Sequence, residues 1–190
     1  MNRKQLCMTL GVVVLAGSLA AAQRITTFDA PGAGTGSGQG TFAQGIDGLG
    51  TTFGYYVDAS GVAHGFLRFF WGNFVTFSVT GAGTASGQGT FAFSLNPEGT
   101  LVGYYTDSNG AYHGYSRTFL GTITTFDAPG AGTGSDQGTY GYNINPDGIF
   151  AGYFWDTNNV AHAYLRNRNG NFTIINAPGA GTGSGQGTGT

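Results

Sequence analysis

Histidine and aspartate are residue types that bind metals and move protons, and in this chain they recur together. Three times an aspartate precedes a histidine by six residues, and each pair follows the last by 49 residues. The pairs are Asp58 with His64, Asp107 with His113, and Asp156 with His162. Three histidines at one point would form a metal site. One histidine per repeat, each in mid-strand opposite an aromatic residue, is more typical of a hydrogen-bonded structural role, so we predict no metal site.

No catalytic residue is predicted. The "GTGSGQG" around Ser37 resembles a nucleophile motif, but it lacks a strand-to-helix elbow and no histidine or aspartate partner can be assigned to it. The alternating glycines precede a strand and lack the lysine of a phosphate loop, so we predict no nucleotide and no cofactor. One aspartate per turn, without a ladder of further carboxylates, is too few oxygens for calcium. Glu98 and Trp155 break the repeat symmetry without identifiable partners.

The first 22 residues are typical of a secretory signal peptide. Arg3 and Lys4 precede an uncharged run to Leu19, and three alanines stand before Gln23. A membrane anchor is the alternative, but the apolar run is shorter than the roughly 20 residues that a span needs. Cleavage would remove Cys7, the chain's one cysteine, so the mature chain can form no disulfide. We predict a secreted, periplasmic or cell-surface protein with no membrane span after cleavage.

The net charge of the mature chain argues against nucleic acid and anionic lipid as partners. Without Arg3 and Lys4, five basic residues stand against nine acidic ones, a net charge of −4. No basic patch is available for nucleic acid or anionic lipid.

The rest of the chain, residues 23–190, is a tandem repeat with a glycine-rich connector in each copy. The connectors open at Gly32, Gly81, Gly130 and Gly179, always 49 residues apart, with no insertion between them. The predicted units span about 41–79, 90–128 and 139–177. A single strand over 25–30, "ITTFDA", matches the last strand of a unit.

Turn chemistry divides each unit into four short strands. "NPEG" from Asn96 and "DSNG" from Asp107 have the residues that close hairpins, and a third turn is centred on Gly121. In "DTNN", Asn159 stands where the other units have glycine, and asparagine tolerates the left-handed conformation best among the other residues. The predicted unit is therefore an antiparallel meander. Its strands lie near 41–46, 51–57, 62–69 and 74–79 in the first copy.

The hairpin register predicts which residues face each other. A three-residue loop after Asp58 pairs Tyr56 with His64 and Gly54 with Phe66, and the same pairs recur in each unit. An aromatic ring should then cover each strand glycine. The opposite face of the hairpin is also apolar, so neighbouring sheets should cover both faces.

Burial of both faces predicts an all-β, β-propeller-like stack of four-stranded meanders, with a β-trefoil or β-prism as the alternative. A propeller needs about four to eight blades to close, whereas this chain supplies three units and one strand. The alternatives are a truncated gene product without independent function, an open stack of sheets, or closure by self-association. The three arginines at Arg68, Arg117 and Arg166 are expected to pair with a carboxylate or stack on an aromatic ring within the fold.

A family resemblance covers nearly all of the mature chain. The stretches "GYYVDASGVAHGFLR" from Gly54, "GYYTDSNGAYHGYSR" from Gly103 and "GYFWDTNNVAHAYLR" from Gly152 are each followed by a strand that ends at or near "FDAPGA". They resemble the bacterial extracellular repeats called the HAF family. The resemblance implies secreted or cell-surface proteins with propeller-like folds, and it brings no established activity or catalytic residues.

The connectors and the turns beside them form the candidate binding surface. Both should emerge on the same edge of the sheet, where they serve either as spacers or as a polar rim suited to a polysaccharide. The candidate residues of the rim are Thr35, Gln39, Asp58, Ser60, Gln88, Asp107, Gln137 and Asp156. The predicted function is therefore a non-enzymatic binding or surface-association module. A propeller-type hydrolase or lyase is the alternative.

Overall fold

The computed structural model of the chain describes residues 25–189, and every helix or strand assigned in this range is a β-strand. The predicted signal peptide and Cys7 lie outside the described residues. The strands, in chain order, are β1 Gly40–Ile46, β2 Thr52–Val57, β3 Ala63–Arg68, β4 Phe74–Phe77, β5 Gly89–Leu95, β6 Leu101–Thr106, β7 Tyr112–Arg117, β8 Ile123–Phe126, β9 Gly138–Ile144, β10 Phe150–Trp155, β11 Ala161–Arg166 and β12 Phe172–Ile175. Over residues 25–189 there is no helix with the length and apolar character needed to cross a membrane.

The twelve strands belong to one open mixed sheet. Strands β1 to β4 pair antiparallel with their chain neighbours, and so do β5 to β8 and β9 to β12, which gives three ladders. Successive ladders meet through one parallel residue pair, Ala63 with Gly89 and then Tyr112 with Gly138. Each connector therefore brings the first strand of one ladder alongside the third strand of the ladder before it, and the two strands pair at one end only.

The predicted register of the central hairpins is confirmed. Tyr56 lies opposite His64 and Gly54 opposite Phe66, and the corresponding pairs recur between β6 and β7 and between β10 and β11. Each hairpin loop ends in a left-handed residue, and Asn159 takes this conformation with a φ of 58°. The asparagine therefore replaces a turn glycine, as its tolerance of positive φ predicts.

A β-bulge interrupts the first strand of every ladder, a feature that the turn and register patterns do not predict. The extra residue is the fifth of each strand: Gln44, Phe93 or Tyr142. Opposite the bulge, a Cβ on Gly103 would overlap the carbonyl oxygen of Phe91, so a side chain does not fit there. The predicted aromatic cover is present at Gly103, where Tyr115 lies close, whereas at Gly54 the nearest atoms belong to the backbone of residues 42–44.

The predicted single strand over residues 25–30 is absent, which corrects that expectation. The corresponding strands β4, β8 and β12 each pair with the third strand of their own ladder. Residues 25–30 pair with none of the twelve described strands. Phe28 is instead held by packing, because its ring contacts Phe66 and Phe74 with centroids 6.4 and 6.0 Å apart.

The hydrophobic core lies between successive ladders. One cluster joins Phe53 and Leu67 of the first ladder to Leu101 and Tyr115 of the second. Another cluster joins the second ladder to the third in the same way, and residues 28–33 cover the outer side of the first ladder. The stacking role predicted for the arginines is confirmed. Each guanidinium carbon lies over a phenylalanine that precedes its own ladder, at 4.7 Å for Arg68 on Phe28, 5.0 Å for Arg117 on Phe77 and 4.6 Å for Arg166 on Phe126.

Candidate functional site

The glycine-rich connectors are ordered loops, and one glutamine fastens each of the first three. Gln39 accepts a hydrogen bond from the Gly36 amide at its Oε1, 2.8 Å away, and its Nε2 donates to the Ala59 carbonyl at 3.0 Å. Gln88 and Gln137 make the same two kinds of bond. The predicted adjacency of connector and turn is therefore confirmed. The amide groups of these three rim residues are used inside the protein.

The three aspartates of the predicted rim are also engaged. Asp58 accepts hydrogen bonds at Oδ1 from the Ser60 and Val62 amides, at 2.8 and 2.9 Å. The bond from Val62 is the main reason that the pKa of Asp58 lies below its ordinary value. Asp107 and Asp156 hold their turns in the same way. These carboxylates thus shape the turn between the second and third strands.

Each histidine is held by hydrogen bonds within its own ladder. His64 stacks on Tyr56 with ring centroids 5.0 Å apart, and its Nε2 lies 3.2 Å from Asp58 Oδ2. His113 and His162 stack and pair in the same manner. In residues 25–189 no three histidine, cysteine, aspartate or glutamate side chains are grouped so that they could hold a metal ion. The hydrogen-bonded structural role therefore describes all three histidines.

The first ladder contains a serine, a histidine and an aspartate in contact. Ser78 Oγ lies 2.8 Å from His64 Nδ1, and Asp58 lies on the other ring nitrogen. In the other ladders an aspartate or an asparagine occupies the serine's place. The amide of Val79, next to Ser78, donates to Thr90 Oγ1 at 2.9 Å and so cannot stabilise an oxyanion. This arrangement fits a hydrogen-bonded histidine better than a hydrolytic triad.

The exposed rim keeps only small hydroxyl groups for a ligand. Thr35 and Ser60 are exposed, and Ser37, Ser60 and Ser86 line an open groove of about 430 Å³ between two connectors. The structure thus brings Gln39, Asp58 and Ser60 together at one turn, as predicted. It assigns the glutamine and the aspartate to internal hydrogen bonds.

The opposite edge of the sheet, formed by the turns between β1 and β2, β3 and β4 and their counterparts, has a different character. We call the depression between the first two ladders at this edge the aromatic cleft. It has a volume of about 300 Å³ and is lined by Phe70, Trp71 and Phe119 beside the carboxylates of Asp47 and Glu98. Trp71 is 59% exposed and Phe70 67%. Exposed aromatic rings grouped in a cleft are characteristic of binding surfaces.

A second depression lies between the second and third ladders at the same edge, and we call it the polar pocket. It has a volume of about 230 Å³ and is lined chiefly by Asn96, Ser116, Thr124, Arg166 and Arg168. Glu98 lines both depressions. Its carboxylate pairs with Arg168 at 2.9 Å, a bond that joins the second ladder to the third.

Sequence reasoning missed this edge, although one signal was available. The residues of the connector edge are nearly the same in every unit, whereas those of the turn edge differ. Trp71 corresponds to Leu120 and Asn169, and Phe119 to Arg168, at the step of 49 residues. Such departures from a strict repeat mark positions that the fold itself does not fix.

Comparison with protein-family models, with curated proteins and with solved structures finds no match to this chain.

Proposed function

We propose that this chain is a secreted, non-enzymatic β-repeat protein that binds carbohydrate at the turn edge of its sheet. The observation that carries this proposal is the aromatic cleft, in which three exposed rings stand beside two carboxylates. The predicted rim on the connector edge gives less support, because no exposed aromatic ring stands among its predicted residues and its glutamines and aspartates have partners within the protein.

The chemistry of the cleft suits a sugar. A pyranose has an apolar face of C–H groups that packs on an aromatic ring, and a rim of hydroxyl groups that donate to carboxylates. Trp71 and Phe70 offer the rings, at edge-to-face geometry with centroids 4.6 Å apart. Asp47 Oδ1 accepts hydrogen bonds from the Leu49 and Thr51 amides, and Glu98 Oε1 pairs with Arg168. The second oxygen of each carboxylate is the acceptor offered at the margin of the cleft.

The proposal includes a propeller-like architecture of the HAF repeat type. The supporting contacts are those between blade faces: Tyr55 of β2 packs on Phe91 of β5, and Tyr104 of β6 packs on Tyr140 of β9, with centroids 5.1 and 4.8 Å apart. Each second strand thus lies against the first strand of the next ladder, as in stacked blades.

Binding of the full-length chain to an array of bacterial and plant polysaccharides tests the proposed function. Isothermal titration calorimetry gives the affinity for each positive ligand, a readout that does not depend on Trp71. We expect Trp71→Ala to weaken binding at least tenfold, about 1.4 kcal/mol, because a stacking surface is lost. Trp155→Phe, which does not alter the cleft, is the matched control and should leave the affinity unchanged.

The same assay separates the two edges of the sheet. The double variant Thr35→Ala with Ser60→Ala removes rim hydroxyls and should bind like the unaltered chain. Loss of binding in this variant, with Trp71→Ala unaffected, would move the site to the connector edge. Absence of binding to every polysaccharide would refute the carbohydrate function.

A further inference from the structure

The polar pocket occupies the same place between the second and third ladders that the aromatic cleft occupies between the first and second. Leu67 of the cleft corresponds to Ser116 of the pocket, and Val75, which packs beside Leu67, corresponds to Thr124. Leu67 is only 4% exposed and belongs to the core. Two apolar side chains that pack well in one interface are thus replaced by two hydroxyls in the next, a change that packing does not require.

Two buried donors in this pocket lack an acceptor. Asn96 is 2% exposed, and its Oδ1 accepts a hydrogen bond from the Thr100 amide at 2.9 Å. Its Nδ2 has no partner among residues 25–189, and neither has the buried Nε of Arg166. A buried donor without an acceptor costs about 1–3 kcal/mol, so two in one pocket indicate that an acceptor group belongs there.

The charge of the pocket specifies the acceptor. The Arg166 guanidinium stacks on the rings of Phe126 and Phe150, and no carboxylate in the described part of the chain forms an ion pair with it. Glu98 is already paired with Arg168. A partly buried guanidinium without a counter-charge favours a planar anion that can accept two hydrogen bonds, which describes a carboxylate.

We propose that the polar pocket binds the carboxylate of an acidic sugar, with Asn96 Nδ2 and the Arg166 guanidinium as donors. The Ser116 and Thr124 hydroxyls then contact the hydroxyl groups of the same sugar residue. This inference rests on the proposed carbohydrate function and adds the class of ligand, a polysaccharide that contains uronic acid. Neighbouring sugar residues lie in the aromatic cleft, since Glu98 borders both depressions.

The test compares matched ligands that differ only in the carboxylate. Trimers of galacturonic, glucuronic and mannuronic acid are titrated into the full-length chain by calorimetry, each beside its methyl ester. We expect at least one free acid to bind tenfold or more tightly than its ester. The double variant Ser116→Leu with Thr124→Val installs the side chains of the first interface and closes the pocket. It should remove the preference for the acid and keep the fold, as urea unfolding will show.

Thr125→Val is the matched control for the double variant. It alters the opposite face of β8 and should keep the preference for the acid. Equal binding of acid and ester by the unaltered chain would overturn the acidic ligand and leave the carbohydrate function standing. A preference that survives in the double variant would overturn the pocket as its site. Failure of every acid, ester and neutral polysaccharide to bind would overturn both proposals.

Discussion

At the scale of the residue, close contact with the previous ladder requires a glycine at the end of a connector. Gly89 begins β5 with a φ of 118°, and a Cβ at this position would overlap the backbone of Ala63. Gly138 and Gly187 stand in the same way against Tyr112 and Ala161. The connector can therefore bring the next strand against the previous ladder only where a side chain is missing.

The histidines differ in what holds their second nitrogen. His113 Nδ1 lies 2.9 Å from Asp127 Oδ1, and its Nε2 lies 3.6 Å from Asp107, so two carboxylates face this ring. The hydrogen bond to Asp127 is the main cause that raises the pKa of His113 above its ordinary value of 6.5. Protonation of His113 is thus coupled to folding.

We expect Asp127→Asn to lower the stability of the chain chiefly at acidic pH. The raised pKa of His113 contributes stability that is complete below pH 6.5 and is lost as the pH rises through the folded-state pKa. The difference in unfolding free energy between the two chains should be about 0.2–1 kcal/mol near pH 5.5, since Asp127 is half exposed. It should shrink toward pH 9.

Urea unfolding at a series of pH values measures this difference. Asp147→Asn removes an exposed carboxylate far from any histidine in sequence and should give a pH profile parallel to that of the unaltered chain. A difference for Asp127→Asn that stays constant from pH 5.5 to pH 9 would contradict the coupling to His113.

At the scale of the element, each connector is closed by a threonine. The Ala128 amide donates to Thr139 Oγ1 at 2.9 Å across eleven residues, and both residues are buried. The Val79 amide makes the same bond to Thr90. This contact fixes the end of the fourth strand to the start of the next ladder, so the connector is a clamped loop.

We expect Thr139→Val to destabilise the chain by about 1–3 kcal/mol, because the Ala128 amide then has no acceptor in a buried place. Thr139→Ser keeps the hydroxyl and loses only a methyl group, so it is the matched control. Denaturant unfolding should rank the valine variant below the serine variant. The reverse order would mean that packing of the methyl group, and not the hydrogen bond, holds the connector.

At the scale of the whole molecule, no ladder buries its apolar faces alone. Leu101 is fully buried in the cluster shared by the first two ladders, and Val102, the next residue along β6, is fully buried in the cluster shared by the last two. The second ladder therefore contributes buried side chains to both clusters. We infer that the three ladders unfold together.

The two tryptophans of the chain report on its two ends, since Trp71 belongs to the first ladder and Trp155 to the third. Trp155→Phe leaves Trp71 as the reporter, and Trp71→Phe leaves Trp155. In each variant we expect the fluorescence and circular dichroism transitions in urea to have the same midpoint. Leu101→Ala should lower both midpoints, at a cost of about 2–5 kcal/mol. A shift seen by Trp71 alone would show that the ladders unfold separately.

Much of the fold follows from local chemistry. Turn residues set the four strands of each unit, and the loop length after Asp58 set the pairing of Tyr56 with His64, because hairpin register depends on the turn. The bulge beside Gly54 could not be predicted, since it depends on how two strands meet across the ladder. The prediction of a single strand over residues 25–30 was wrong for the same kind of reason, since a strand needs a partner and none of the twelve described strands pairs with this segment.

The candidate site depends more on tertiary contacts than the strands and turns do. From its own composition the sequence determined an all-β repeat, the turns, the register and the place of the connectors, all of which depend on residues near one another along the chain. Only the tertiary structure revealed that Gln39 bonds to Ala59, twenty residues away, and that Trp71 and Phe119 of two ladders line one cleft. Both contacts join residues that are distant along the chain, where local patterns carry no information.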